Sequence, residues 1–157
     1  MARIYRSMRE TDGQKPKTGR ESNCLGVRIP PDPNADVRPV DGYVKPNRGM
    51  SVSPAIHDLK ARHIPKRLKE GCSNDFKSQF RNATGSNNLK IWRHGEGDFC
   101  REHLSERLTL YPDGNQPVHH GEVGPRREML LQEYEEALES TRDDWHDSED
   151  DTKEQSA

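Results

Sequence analysis

The sequence predicts an α+β domain: a mixed or antiparallel sheet of short strands with flanking helices. Three observations predict it. Short stretches of alternating character recur along the chain, as at 2–8, 107–114 and 118–124. These stretches do not alternate strictly with helices, which separates the chain from a doubly wound parallel pattern. One clear amphipathic helix stands near the C-terminus, where Leu130, Leu131, Tyr134, Leu138 and Trp145 recur at helical spacing.

Taken in order, "ARIYRSM" (2–8) reads as a strand with Ile4, Arg6 and Met8 on one face and Arg3, Tyr5 and Ser7 on the other. Residues 9–22 form a polar loop, and "CLGVRI" (24–29) fits a short strand. Five prolines between 30 and 49 make that stretch a long irregular connection. "MSV" (50–52) reads as a strand. Ser53 is then placed as an N-cap, with Pro54 at the first helical position and a helix running to about His63, before Pro65. Residues 69–89 carry only a weak, mixed pattern. "LKIWRH" (89–94) is a strand, and 97–108 fits a helical turn. "RLTLYPDG" (107–114) alternates before a turn at 112–114, and "VHHGEVG" (118–124) is a further strand. The helix is expected over 129–145. These elements make one domain over 1–145, with the acidic stretch 146–157 as a disordered tail.

The chain has 157 residues, of which 29% are hydrophobic and 33% charged, so the core is small and the loops are long. A net charge of −2 gives no global pull toward nucleic acid or an anionic membrane. The charge is uneven, however. The basic stretch 59–69 reads as a solvated face or, beside a cleft, as a holder of phosphate. No stretch is apolar for long enough to span a bilayer, and the N-terminus has charges where a secretory signal has its apolar core. A cytoplasmic protein without a membrane partner is expected. Cys24, Cys72 and Cys100 are too few and odd in number for a disulfide framework, so each is read as a small buried hydrophobe in a reducing compartment.

Several chemistries lack their motif. Cys100 and His103 form one tight pair, with His119 and His120 further on, but a second pair is missing and no metal is expected. There is no G-x-S-x-G elbow, no Walker loop and no G-x-G-x-x-G after a strand. What remains is an ordered set: an arginine on the first strand ("YRS", 5–7), a serine-bearing strand that breaks sharply ("GMSVSP", 49–54), and a glutamate on a late strand ("HHGEVGP", 119–125).

That order resembles the arginine, serine, glutamate pattern of mono-ADP-ribosyltransferases. More narrowly, it is similar to the ADP-ribosyltransferase-like toxins delivered by bacterial type VI secretion. The likeness includes "IYRSM", "GMSV", "KIWRHGEGDFCREHL" (90–104) and "HHGEVGPRREMLLQEY" (119–134). The resemblance implies a sheet split around bound NAD, used as substrate, with ADP-ribose transferred to a macromolecular target and a cognate immunity protein as partner. Carried over by position, Glu122 is the catalytic carboxylate, Arg6 the pyrophosphate anchor and Ser51 the orienting hydroxyl. Gly49 and Ser53 flank the cofactor, Tyr5 stacks on nicotinamide, and His119 or His120 contacts ribose or phosphate. The pattern departs from arginine-specific transferases at Met50-Ser51-Val52-Ser53, where they carry Ser-Thr-Ser. It departs again at His120, two residues before the glutamate, where they often carry Glu or Gln.

Two other readings of the same residues stand beside this one. A ribonuclease-type toxin would use Arg6, His120 and Glu122, with His120 and Glu122 on one strand face. A non-enzymatic interaction or immunity-type protein would use the helix at 129–145 and the acidic tail, and would expose an apolar patch.

Overall fold

In a computed structural model, the structure describes residues 1–69, 81–114 and 118–149. Cys72, most of the weakly patterned stretch 69–89 and the tail 150–157 lie outside them. The architecture is α+β, built mostly from antiparallel strands with an α-helix near the C-terminal end.

The first strand, β1 (Ile4–Thr11), turns back on itself through β2 (Lys15–Pro16). After a long connection come β3 (Tyr43–Val44) and β4 (Met50–Val52). Three 3₁₀ turns follow, at Ile56–Asp58, Ala61–His63 and Lys66–Lys69. Beyond them lie β5 (Leu89–His94), β6 (Glu102–His103), β7 (Leu108–Pro112), β8 (Gly121–Pro125) and β9 (Met129–Leu130). Helix α1 (Leu131–Glu139), a 3₁₀ turn at Arg142–Asp144 and β10 (His146–Asp147) follow.

Two four-stranded sheets result, in the orders β10-β5-β1-β2 and β4-β8-β7-β6, with β3 and β9 as a separate pair. Among the described residues, one backbone bridge joins the two larger sheets. Tyr5 N–H donates to the Ser53 carbonyl at 2.8 Å, and Ser53 N–H donates to the Tyr5 carbonyl at 3.0 Å. On either side of that bridge β1 and β4 part, which opens the sheet.

β1 is buried on both faces. Ile4 and Met8 join the main core with Val52, Trp92, Leu108, Leu110 and Leu138. Tyr5, on the other face, joins a second cluster with Ile56, Leu59, Ile64 and Ile91. Burying both faces brings most of the few apolar residues into contact, which suits a chain so poor in them. The register is fixed by Arg6 opposite Trp92, whose indole N–H donates to the Met8 carbonyl at 3.0 Å.

Several expected elements differ. The helix proposed for 54–63 is replaced by the 3₁₀ turns: the Ser53 backbone is bonded to Tyr5, and the chain stays extended through Ala55, so no helix starts at Pro54. The first turn starts at Ala55 with no side-chain cap. The segment is stitched to its neighbours instead, through Gly85 N–H to the Ile64 carbonyl at 2.9 Å and Lys66 N–H to the Gly85 carbonyl at 3.0 Å. Residues 24–29 are not a strand; their one ladder contact is the Thr18–Leu25 bridge. In place of a helical turn at 97–108, β6 pairs with β7 around a loop where the Ser105 hydroxyl accepts from Arg107 and Leu108 N–H at 3.2 Å each.

The strand at 118–124 begins at Gly121, so His119 and His120 precede it and His120 does not share a strand face with Glu122. The helix is shorter than 129–145. Met129 and Leu130 pair with β3, and the Ser140 and Thr141 hydroxyls donate back to the Ala137 and Leu138 carbonyls, closing its C-terminal end. The chain expected to leave the domain at 146 instead pairs with β5, with Ser148 buried and Glu149 ion-paired to Arg67 at 2.7 Å.

Candidate active site

A cleft of about 460 Å³ opens where β1 and β4 part. Arg6 and Ser7 of β1, and Ser51 and Ser53 at the end of β4, form one wall. The loop at Ser22 and Asn23 closes a second side, and the turns at Asp58–His63 a third. His119 and His120 stand at the rim, ahead of β8.

Arg6 reaches across the split. Its Nη1 donates to the Ser51 carbonyl at 2.8 Å and its Nε to the Cys24 carbonyl at 3.0 Å. Burial, partly offset by Asp36, lowers its pKa to about 10. Arginine holds this place because its planar fork can satisfy two carbonyls at once, that of Ser51 at the split and that of Cys24 in the neighbouring loop.

Ser51 lies directly opposite Glu122 in the β4–β8 register. Paired residues point to the same face, so the serine and the carboxylate are neighbours. Glu122 is half-buried, and its pKa is raised, chiefly by that burial. The Gly49 N–H, donating at 3.4 Å, and the nearby His120 and Arg48 oppose the shift. Glu122 is beside the cleft and is not among the residues that line it.

Tyr134 of α1 sets how far β4 and β8 stand apart. Its hydroxyl accepts from Met50 N–H at 3.1 Å and donates to the Val123 carbonyl at 2.5 Å, standing where a ladder bond between that pair would be. Gly49 is required here, since a Cβ would lie 2.4 Å from that hydroxyl and 2.1 Å from the Val123 carbonyl. Gly49 therefore serves the backbone and does not line the cleft.

Tyr5 also departs from its expected role. It has no exposed surface and packs in the second core, so its ring does not face the cleft. Ser53 does line the cleft, but its backbone is held by Tyr5. His119 Nδ1 is 2.7 Å from Asp58, and His120 Nδ1 is 2.8 Å from Asp113.

The opposite wall joins Lys60, Arg62 and His63 of the basic stretch 59–69 to Asn23, which no motif marked. Asn23 adopts a left-handed backbone with φ of 63°, pinned by Arg9 N–H donating to its carbonyl at 2.9 Å. Its side-chain amide donates to the Ser7 carbonyl at 3.0 Å and to His63 Nδ1 at 3.1 Å. That contact makes Nδ1 the acceptor and places the His63 proton on Nε2. Burial, reinforced by Arg62, lowers the His63 pKa to about 4, so the ring is neutral at neutral pH. A polar Ser-Asn pair inside a loop was the signal for Asn23, and the basic stretch 59–69 was the signal for the rest of this wall.

Charge in the cleft is lopsided. Arg6, Arg28, Lys60 and Arg62 line it with Asp36 and Asp58. Arg28 and Asp36 form a closed pair, with Nε at 3.2 Å and Nη2 at 3.1 Å from the carboxylate. Among the described residues no group of three or more metal-ligating side chains occurs, and no helix is long and apolar enough to cross a membrane.

No protein-family model matches the chain, and no curated protein or solved structure matches it.

Proposed function

We propose that the chain is a toxin-like ADP-ribosyltransferase domain that binds NAD in this cleft and transfers ADP-ribose to a macromolecular target. One observation carries the reading. Arg6, Ser51 and Glu122, far apart in sequence, sit on neighbouring strands at the split, with Arg6 bonded to Ser51 and Ser51 opposite Glu122.

The chemistry follows from those groups. The bond between nicotinamide N1 and ribose C1′ breaks with its electron pair leaving on nicotinamide. The ribose then carries positive charge, and a nucleophile of the target bonds to C1′ and releases its proton. A carboxylate beside the sugar stabilises that charge and accepts from the 2′-hydroxyl. Glu122 is the group for this, and the Ser51 hydroxyl beside it orients the ribose. Arg6 acts as a positioning residue: it fixes the Ser51 backbone and adds positive potential to the wall.

The reading is tested by incubating the purified chain with NAD and a cell extract, wild type beside Glu122→Gln. Release of nicotinamide and labelled product by the wild type alone supports it. A folded wild type that leaves NAD intact in an extract where it arrests growth on expression removes it. Delivery by type VI secretion and a cognate immunity protein belong to the same proposal.

A second reading has its own observation. Tyr43 and Leu130 face each other across β3 and β9 and are 43% and 49% exposed, with Val40, 59% exposed, bridged to Tyr43. Such a patch fits a docking face for a protein partner. Arginine or glutamate in place of Leu130 would abolish complex formation under that reading and leave NAD chemistry unchanged.

A further inference from the structure

The uncommitted positive charge of the cleft comes from the basic stretch that the transfer chemistry leaves unused. Of the four cations lining the cleft, Arg6 is bonded to the Cys24 and Ser51 carbonyls and Arg28 is paired with Asp36. Both carboxylates are engaged as well, Asp36 with Arg28 and Asp58 with His119. Lys60 and Arg62 are exposed and line the cleft, and neither has an ion-pair partner among the described residues. Lys60 caps the turn Ala61–His63 and Arg62 lies within it, and both line the cleft together with His63.

A second, independent feature lies at the floor. The Ser7 hydroxyl is buried, with the residue 3% exposed, lines the cleft and has no hydrogen-bond partner among the described residues. An unpaired buried hydroxyl is destabilising, and a ligand oxygen is one group that would satisfy it. Beside it, Asn23 bonds to the Ser7 carbonyl and to His63 Nδ1, which leaves the His63 proton on Nε2.

We infer that Lys60, Arg62, His63 and Ser7 form a phosphate-binding pole of the cleft, which takes the pyrophosphate of a dinucleotide. A pyrophosphate diester has two negative charges and only acceptor oxygens, so it requires cations and N–H or O–H donors. Lys60 and Arg62 supply the charge. Ser7 Oγ–H and His63 Nε2–H supply neutral donors deeper in the wall. Arg6, the anchor suggested by the sequence pattern, is already bonded to carbonyls and has a structural role instead. The dinucleotide rests on the NAD reading above, whereas the pole itself is testable with ligands that carry no nicotinamide.

The experiment is calorimetric titration of the full chain with inorganic pyrophosphate and with ADP-ribose, at low and high salt. Wild type is compared with the double variant Lys60→Ala/Arg62→Ala and with Ser7→Ala. The wild type is expected to bind ADP-ribose, with affinity that falls as salt rises. The double variant is expected to bind about 10- to 100-fold more weakly with a shallower salt dependence. Ser7→Ala is expected to bind more weakly while unfolding no more readily than wild type, which separates ligation from a structural role. A double variant that binds ADP-ribose as wild type does, or a wild type that binds neither pyrophosphate nor ADP-ribose, overturns the inference. Binding of a short oligoribonucleotide through Lys60 and Arg62 without ADP-ribose binding overturns the dinucleotide assignment. ADP-ribose binding that needs the pole, in a chain that never consumes NAD, keeps the inference and removes the transferase reading.

Discussion

Arg6 Nη1 donates a 2.8 Å hydrogen bond to the carbonyl oxygen of Ser51, across the gap where β1 and β4 part. The guanidinium supplies a donor to the Ser51 carbonyl at the split, so the opening of the sheet and the burial of a cation are one device. Arg6→Ala leaves the Ser51 and Cys24 carbonyls without their donors in a half-dry cleft. The expected cost is about 2–4 kcal/mol of stability. Urea denaturation of the variant measures it. An unchanged midpoint would mean that solvent already satisfies both carbonyls.

Glu122 is predicted to trade stability for function. Its pKa is raised by burial, so the folded chain holds the proton more tightly than the unfolded chain does. Its contribution is therefore most favourable at low pH. That contribution declines as pH rises from the ordinary carboxylate value through the raised one, and is constant above. Glu122→Gln removes that decline. The variant should melt at or above the wild-type temperature at pH 7, with a difference that shrinks toward pH 4, while losing about 10²-fold or more in transfer rate. Melting curves across that range, beside an activity assay, check both halves.

His63 acts with the opposite sign. Its folded pKa, about 4, lies below the ordinary 6.5, so acid protonates the unfolded chain first. Stability from this group is full above the ordinary value and is lost as pH falls from there toward 4. His63→Gln should flatten that part of the pH–stability curve, and proton NMR of the ring should find it neutral at pH 6.

Tyr134→Phe tests the wedge between β4 and β8. The change leaves the Met50 N–H and the Val123 carbonyl without their shared partner, at an expected cost of about 1–3 kcal/mol. Amide exchange at Met50 should accelerate more than at Trp92, which belongs to the other sheet. Equal protection in both proteins would mean that the strands close up and bond directly.

The sequence made some of this legible and hid the rest for physical reasons. β1, β4, β5 and β7 were readable because alternation or β-branched residues mark them directly. The helix was overextended because Leu130 and Trp145 continue the apolar spacing, although one pairs in β9 and the other packs against His94 beyond the helix. Ser53 and Pro54 spelled a helix start, but the backbone of Ser53 is bonded to Tyr5 from a strand nearly fifty residues away (a partner no local pattern can reveal). Of the candidate site, Arg6, Ser51, Ser53, His119 and His120 line the cleft, while Tyr5 is buried and Gly49 shapes the strands. The pairing of Asn23 with His63 was invisible because it is one hydrogen bond between two loops forty residues apart, although the basic stretch that holds His63 stood out in the sequence.

The central claim is that the cleft at the β1–β4 split holds NAD beside Glu122. The most direct measurement is nicotinamide release from NAD by the purified chain, wild type beside Glu122→Gln, with both proteins shown to be folded by their melting curves. The account predicts release by the wild type and about 10²-fold less, or none, by the variant. Equal release by both proteins, or binding of NAD that shifts no resonance of Ser51, His63 or Glu122, would contradict it.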